Sequence, residues 1–468
     1  MLFVLYTPHL FKTKPLPGVG LFCVYTLAKC ETAMDYLRAL GGLVFIVGIA
    51  YLFSTNRKAV DWKLVLAGIG MQIVFGLLIA KVPAVQGAFE YISAQFMTFL
   101  SFAQKGAEFL YGDLSKNSNG DPTVKHSLGF LFAFQTLPTV IFFSAITAGL
   151  YYLGVLQKIV YGFAWLMTRT MRMSGAESLS VAGDVFMGQT EAPLLVKPFI
   201  PGMTRSELHC LMTGGMATIA GSVFGAYVSF LGGADKAEQT RFATYLLTAS
   251  IMSAPAAVVL AKLFLPETEP IDKSMHLSKD QVGVNLIDAL ATGAADGLKL
   301  ALNIGAMLLA FTAVIYAVNW VLVDFVGHYT GLNDFVVSST QGTFTGFSLQ
   351  YILGQVFRVF AFFIGVDWSE SLYIGSLLGQ KMVINEFVAY YDLGNMKAAG
   401  LLSDKSVLIA TYALCGFANF ASIAIQIGGT GGMAPSRQQD ISRLGMRAMI
   451  AATLATMMTA TIAGALFS

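Results

Sequence analysis

Gly183-Asp184-Val185-Phe186-Met187-Gly188-Gln189-Thr190-Glu191-Ala192-Pro193 lies inside an apolar stretch, 176–201, and does not read as a plain helix. Gly188 and Pro193 bracket three hydrogen-bonding residues, Gln189, Thr190 and Glu191. Glycine loosens a helix, and proline removes a backbone donor. Asp184 and Glu191 would each cost ~2.5–3.5 kcal/mol at membrane depth on insertion scales, so each needs a reason to be there. Broken backbone at that depth is tolerated only where it is buried in protein or lines a wet cavity. Basic residues stand at both ends of the stretch, Arg172 and Lys197. The segment is therefore expected to enter and leave on one side, as a re-entrant hairpin.

Composition says why membrane depth is the right setting. The chain has 468 residues and only 12% are charged, against roughly 25% in a soluble globular protein. The hydrophobic fraction is 56%, with 36 Phe, 47 Gly and 21 Met. That leaves too few charges to cover several soluble cores, and too much apolar surface for disorder. A net charge of +2 provides no basic field, so nucleic acid is not expected as a partner. Cys23, Cys30, Cys210 and Cys415 are scattered and lack the His partners of a zinc site. An all-α polytopic membrane protein in a lipid bilayer remains. No cofactor is expected.

A helix needs ~20 mostly apolar residues to cross the hydrocarbon. Eight segments meet or approach this: 39–53, 62–81, 128–153, 206–232, 242–264, 298–326, 406–429 and 440–467. Basic residues collect in alternate connections: Arg57, Lys58 and Lys63; Lys158, Arg169 and Arg172; Lys197 and Arg205; Arg437, Arg443 and Arg447. That side is assigned to the cytoplasm, although Lys397 and Lys405 run against it. Both termini then lie outside a plasma membrane, or the inner membrane of a Gram-negative cell. Residues 1–33 fit this poorly, with Lys12, Lys14, Lys29 and a Pro-Leu-Pro-Gly turn at 15–18. Met34 is expected to be the true start and 1–33 an extension. Residues 85–112 and 155–173 are expected along the interface. Residues 266–290 are expected to form a cytoplasmic loop and a short surface helix.

A second interrupted stretch, 346–390, has a break at Gly365-Val366-Asp367-Trp368 and a limb carrying Asn385 and Glu386. By the side count it dips from outside. Each hairpin is followed by a long helix with a soft middle, at 213–223 and again at 415–423, and then by one more span. Interrupted segments at matching places in two halves indicate inverted repeats with a midplane site. The expected organisation is 34–175, the first three spans with interfacial helices; 176–265, the first repeat; 266–340, loop, interfacial helix and sixth span; and 341–468, the second repeat. Gln189, Thr190 and Glu191 suit the edge of a planar base. Glu386, Asn419 and Ser422 suit sugar hydroxyls, and Phe417 supplies apolar packing. No Arg cluster is present for phosphate, so an uncharged solute is expected. Carbonyls of Met187 and Ile219 with side-chain oxygens of Asp184 and Thr218 suit sodium, a hard cation. His209 and His276 are expected at an interface or in a loop. Phe130–Phe134, Phe142 and Phe143 are expected in lipid or subunit packing, and the Gly-rich run 428–432 at a helix end. With no His or Cys near the carboxylates, an intramembrane hydrolase is not expected. A solute-responsive channel or sensor is the non-enzyme rival.

From about residue 40 onward the chain resembles the concentrative nucleoside transporter family. The resemblance rests on Gln-Thr-Glu-Ala-Pro at 189–193, Gly-Gly-Met-Ala-Thr-Ile-Ala-Gly at 214–221, Asn-Glu-Phe-Val-Ala-Tyr at 385–390 and Cys-Gly-Phe-Ala-Asn-Phe at 415–420. It implies a homotrimeric, bacterial-type, sodium-coupled symporter for nucleosides of the uridine, cytidine and adenosine class. Each protomer would have eight spans and two opposed hairpins and would work as an elevator. The first, second, third and sixth spans would form the scaffold. The hairpins with the fourth, fifth, seventh and eighth would move. The base would meet Gly188, Gln189, Thr190, Glu191 and Val223, with Leu300 nearby. The ribose would meet Glu386, Asn419 and Ser422, beside Phe417. Sodium would meet Asp184, Met187, Thr218 and Ile219. Family members often carry Asn where this chain has Asp184, which leaves proton coupling open.

Overall fold

The computed structural model describes residues 19–116, 131–233, 235–275 and 283–467, and every regular element among them is helical. Most of the suspected extension lies outside the described residues; from Val19 a single helix continues through Met34 to Leu52. Among the described residues, seven segments are long and apolar enough to cross a membrane: Met34–Leu52, Trp62–Lys81, Phe132–Tyr152, Arg205–Gly232, Lys236–Phe264, Leu286–Thr330 and Pro435–Leu466. The expected span at 406–429 is two short helices, Asp404–Leu414 and Phe420–Met433, separated by a break. Arg205–Gly232 is broken in the same manner, with Thr218 and Ala220 in extended backbone between Arg205–Ala217 and Gly221–Gly232.

Local sequence explains where these helices begin. The first hairpin limb, Gly175–Asp184, opens with a capping box in which Ser174 and Glu177 satisfy each other's backbone N–H groups at 3.2 Å. Thr204 and Glu207 do the same for Arg205–Ala217. Ser403 caps Asp404–Leu414 through its hydroxyl. The first hairpin returns through an irregular 3-10 run, Ala192–Gly202, which contains Pro198 and Pro201.

The second hairpin differs from the sequence expectation. Gly365-Val366-Asp367-Trp368 is not its tip. It joins an outer helix, Leu349–Phe363, to the first limb, Ser371–Val383, and the tip is at Ile384 and Asn385, with Glu386–Ala398 as the returning limb. A glycine followed by an aspartate looks the same in sequence at the foot of a hairpin as at its tip. No separate short surface helix appears in the described part of 266–290; Leu286–Asn319 is one continuous helix. His209 is not at a surface either. It is buried in the first broken helix and stacks on Phe264, while His276 lies outside the described residues. Phe132 packs on Phe230 and Phe387, so it faces the hairpin region rather than lipid.

Both halves then read in the same order: span, outer helix, hairpin, broken helix, span. Equivalent elements meet, Leu137–Tyr152 against Leu286–Asn319, and Lys236–Phe264 against Gln438–Leu466. Met34–Leu52 fixes the relative direction of the hairpins. Its start holds the foot of the second through Arg38 to Asp367 at 2.8 Å, and holds the start of the broken helix Asp404–Leu414 through the Asp35–Lys405 ion pair. Beyond its end, Thr55 N–H donates to Phe264 O at 3.0 Å, beside Lys262, which pairs with Glu177 at the foot of the first. Nineteen residues of helix separate these ends by ~28 Å, so the hairpins enter from opposite sides. Burial divides the molecule as well. Over its most apolar window Lys236–Phe264 is 94% buried, whereas Leu286–Thr330 is 6% buried.

Candidate functional site

The hairpin tips and the two helix breaks enclose a cavity of about 490 Å³, a volume in the range of small-molecule sites. Gly188, Gln189, Thr190, Glu191, Val223, Leu300, Glu386, Phe417, Asn419 and Ser422 all line it. They are drawn from both hairpins, both broken helices and one outer span.

Glu386 is the most constrained acidic group there. It is the first helical residue after the second tip, and Asn385 caps that helix by accepting from Val388 N–H at 3.0 Å. Tyr227 Oη donates to Glu386 Oε1 at 3.0 Å, and Asn419 Nδ2 donates to Glu386 Oε2 at 2.9 Å. Asn419 is itself a cap, accepting from Ser422 N–H at 2.9 Å. One side chain therefore starts a half-helix and fixes a carboxylate. Each Glu386 oxygen is thus held by one side-chain donor at the cavity wall.

The first tip is held through amides. Gln189 Nε2 donates to Ser422 Oγ at 3.0 Å, and Gln189 Oε1 accepts from Gln426 Nε2 at 3.2 Å. Gln426 also donates to Met212 O at 3.0 Å. Close approach makes this possible: a β-carbon at Gly215 would lie 2.9 Å from both Gln189 Cβ and Gln426 Nε2.

Asp184, Met187, Thr218 and Ile219 lie behind the tip, buried, and do not line the cavity. Met187 belongs to the first tip, and Thr218 and Ile219 to the first helix break. Thr218 Oγ1 donates to Gly214 O at 3.1 Å, and Thr218 O accepts from Phe417 N–H at 3.3 Å, so the two breaks touch. A β-carbon at Gly214 would lie 2.8 Å from Asp184 Oδ2. Both Asp184 carboxylate oxygens are buried without a hydrogen-bond partner. An unpaired buried carboxylate is costly enough to demand a cation or a proton. Among the described residues, no group of three or more His, Cys, Asp or Glu side chains is arranged to hold a metal ion. One carboxylate with neutral oxygens suits a monovalent hard cation better than a transition metal.

Some lining residues escaped the sequence reading. Asp296, Lys299, Asn303 and Met307 close one wall from Leu286–Asn319. Asp296, Leu300, Asn303 and Met307 recur at helical spacing, and that stripe was the available signal. Tyr227 had none, since a lone tyrosine in an apolar helix reads as core.

Comparison with known proteins fits this geometry. Family models described as the Na+ dependent nucleoside transporter N-terminus, nucleoside recognition (Gate), and the Na+ dependent nucleoside transporter C-terminus match residues 41–114, 133–234 and 245–464. Solute carrier family 28 member 3 of Mus musculus is 43% identical, over 94% of this chain and 60% of that protein. The chain thus spans only about three-fifths of that relative's length. An uncharacterized transporter of Haemophilus influenzae is 41% identical, over 92% of this chain and 98% of its own length. A solved structure of CNTnw in an inward-facing substrate-bound state is 39% identical, covers 93% of this chain and 100% of that one, and superposes with a TM-score of 0.81. A CNTnw variant in an outward-facing state superposes with a TM-score of 0.83. The family is one of transporters, not enzymes, and this chain is a multi-pass membrane member of the Na+-dependent nucleoside transporter family.

Proposed function

We propose that this protein imports nucleosides by sodium-coupled symport. The observation that carries the reading is one cavity shared by two opposed tips, with an unpartnered carboxylate behind the first. Sodium binds Asp184, the Thr218 hydroxyl and the carbonyls of Met187 and Ile219, and so orders the first tip. The base of a uridine-, cytidine- or adenosine-class nucleoside then meets Gln189, Thr190 and Glu191, packed by Gly188, Val223 and Leu300. The ribose hydroxyls meet Glu386, Asn419 and Ser422, over Phe417. Hydrogen bonds that hold each tip to the broken helices are exchanged for bonds to the solute, so little polar desolvation is left uncompensated.

The buried hairpins and broken helices then move as one elevator against exposed spans such as Leu286–Thr330. Support comes from the burial contrast and from inward- and outward-facing structures of the related CNTnw. The exposed apolar face of Leu286–Thr330, with Leu302, Leu309 and Tyr316, suits lipid and the contacts of a homotrimer. The protein resides in the plasma membrane, the inner membrane in a Gram-negative cell, with both termini outside.

Asp184 favours one second reading, proton coupling, because a carboxylate can carry a proton where an amide cannot. Labelled-uridine uptake into proteoliposomes separates the two. Sodium symport predicts accumulation that collapses when choline replaces sodium. Accumulation that follows a pH gradient without sodium would instead establish the proton reading.

A further inference from the structure

The two repeats meet the same electrostatic situation with opposite charges. In each, a hairpin limb ends beside the last turn of the first half of a broken helix, where carbonyls lack intrahelical partners. In the first repeat, Gly175–Asp184 ends in Asp184, which lies against Gly214 with neither carboxylate oxygen partnered. In the second, Ser371–Val383 carries Lys381 two residues from its end. Lys381 is fully buried. Its ammonium donates to Ala413 O at 2.9 Å, one residue before the end of Asp404–Leu414, and to Thr456 Oγ1 at 2.9 Å.

The neighbouring spans repeat the parallel. Thr456 sits on Gln438–Leu466. On the equivalent span, Lys236–Phe264, Ser250 donates to Val185 O at the first tip at 3.1 Å. Among the described residues no carboxylate forms an ion pair with Lys381. Its partners are a helix-terminal carbonyl and a hydroxyl, the neutral oxygens that a bound cation would use. The C-terminal end of a helix carries partial negative charge that a cation stabilises.

We infer that Lys381 is a tethered cation, filling in the second repeat the place that a free sodium takes in the first. The second hairpin is therefore docked permanently on its broken helix, only the first is gated by an ion, and each protomer couples one cation per nucleoside. This rests on the sodium reading of Asp184. Lys381 acts through the position of the second limb, which presents Glu386, and does not itself line the cavity.

The test measures uridine uptake in proteoliposomes against sodium concentration, and charge moved per uridine on a supported membrane. Wild-type protein and Lys381→Ala, which opens room for a small ion, are compared with and without ammonium chloride. Wild type is expected to show a Hill coefficient of about 1 and about one charge per uridine. Lys381→Ala is expected to lose uptake about tenfold at low sodium, to regain it with ammonium or high sodium, and to show a Hill coefficient approaching about 2. Lys381→Arg, which keeps the charge, should retain single-ion behaviour. Two or more charges per uridine in wild type would overturn the inference with no variant needed. So would Lys381→Ala with an unchanged Hill coefficient, or a folded Lys381→Ala that no cation rescues. Wild-type uptake indifferent to sodium would sink the functional reading along with it, whereas sodium-dependent uptake carrying two or more charges sinks the inference alone.

Discussion

The two hairpins occupy matching places in the repeats but are built differently. The second is two regular helices, Ser371–Val383 and Glu386–Ala398, joined at Ile384 and Asn385. Its Glu386 has a partner on each oxygen, and its Lys381 is satisfied by Ala413 and Thr456. The first follows one regular limb with a loose tip and the 3-10 run Ala192–Gly202, and its Asp184 carboxylate has no partner. A hairpin with every charge satisfied is complete as it stands. One with a buried orphan carboxylate is complete only when something binds. Under the proposed function, sugar recognition falls to the preformed tip and ion sensing to the conditional one.

The sharpest way to break this contrast is at the preformed tip. Glu386→Gln removes the charge that Tyr227 and Asn419 are aimed at and sets an amide N–H against their donors. Uridine uptake should fall by about 100-fold, with protein still reaching the membrane. Asn419→Ala removes one donor and a helix cap together and should cost about 10- to 100-fold in apparent uridine affinity, measured as KM for uptake. Asp184→Asn acts on the conditional tip. The sodium concentration for half-maximal uptake should rise about tenfold, while uridine affinity at saturating sodium changes little. The reverse pattern would exchange the roles of the hairpins.

The smallest effect is expected at the foot of the first hairpin, outside the spans. Burial pushes the Glu267 carboxyl up, but the neighbouring Lys262 ammonium at 3.4 Å, with the Glu269 N–H and the Thr204 hydroxyl, brings it to a net value below the ordinary carboxylate range. A depressed value means the contribution is present above the ordinary pKa and is lost as pH falls through the depressed one. Glu267→Gln should therefore cost no more than about 1 kcal/mol at neutral pH, and its difference from wild type in thermal unfolding should vanish in acid.

Much of this architecture was legible in sequence because lipid makes backbone breaks and buried charges expensive. Asp184, Glu191 and Glu386, set among Gly and Pro in otherwise apolar runs, mark the tips whatever the tertiary fold. Seven of the eight expected spans followed from the same argument, while the stretch expected at 406–429 is two short helices. What was not legible depended on partners far apart in the chain. Tyr227 meets Glu386 across 159 positions and Gln426 meets Gln189 across 237, and nothing local marks either as more than core. The second tip was placed too early because Gly365 and Asp367 mimic a break; it takes the ion pair from Arg38 to show that they form the foot. Asp296 and Lys299 reach the cavity wall through the register of a long helix.

Calorimetric titration of uridine into purified protein, once in sodium chloride and once in choline chloride, tests the division of labour most directly. The account predicts binding in sodium and a loss of about tenfold or more in choline, because the first tip does not close without a cation beside Asp184. Equal affinity in the two salts would contradict it.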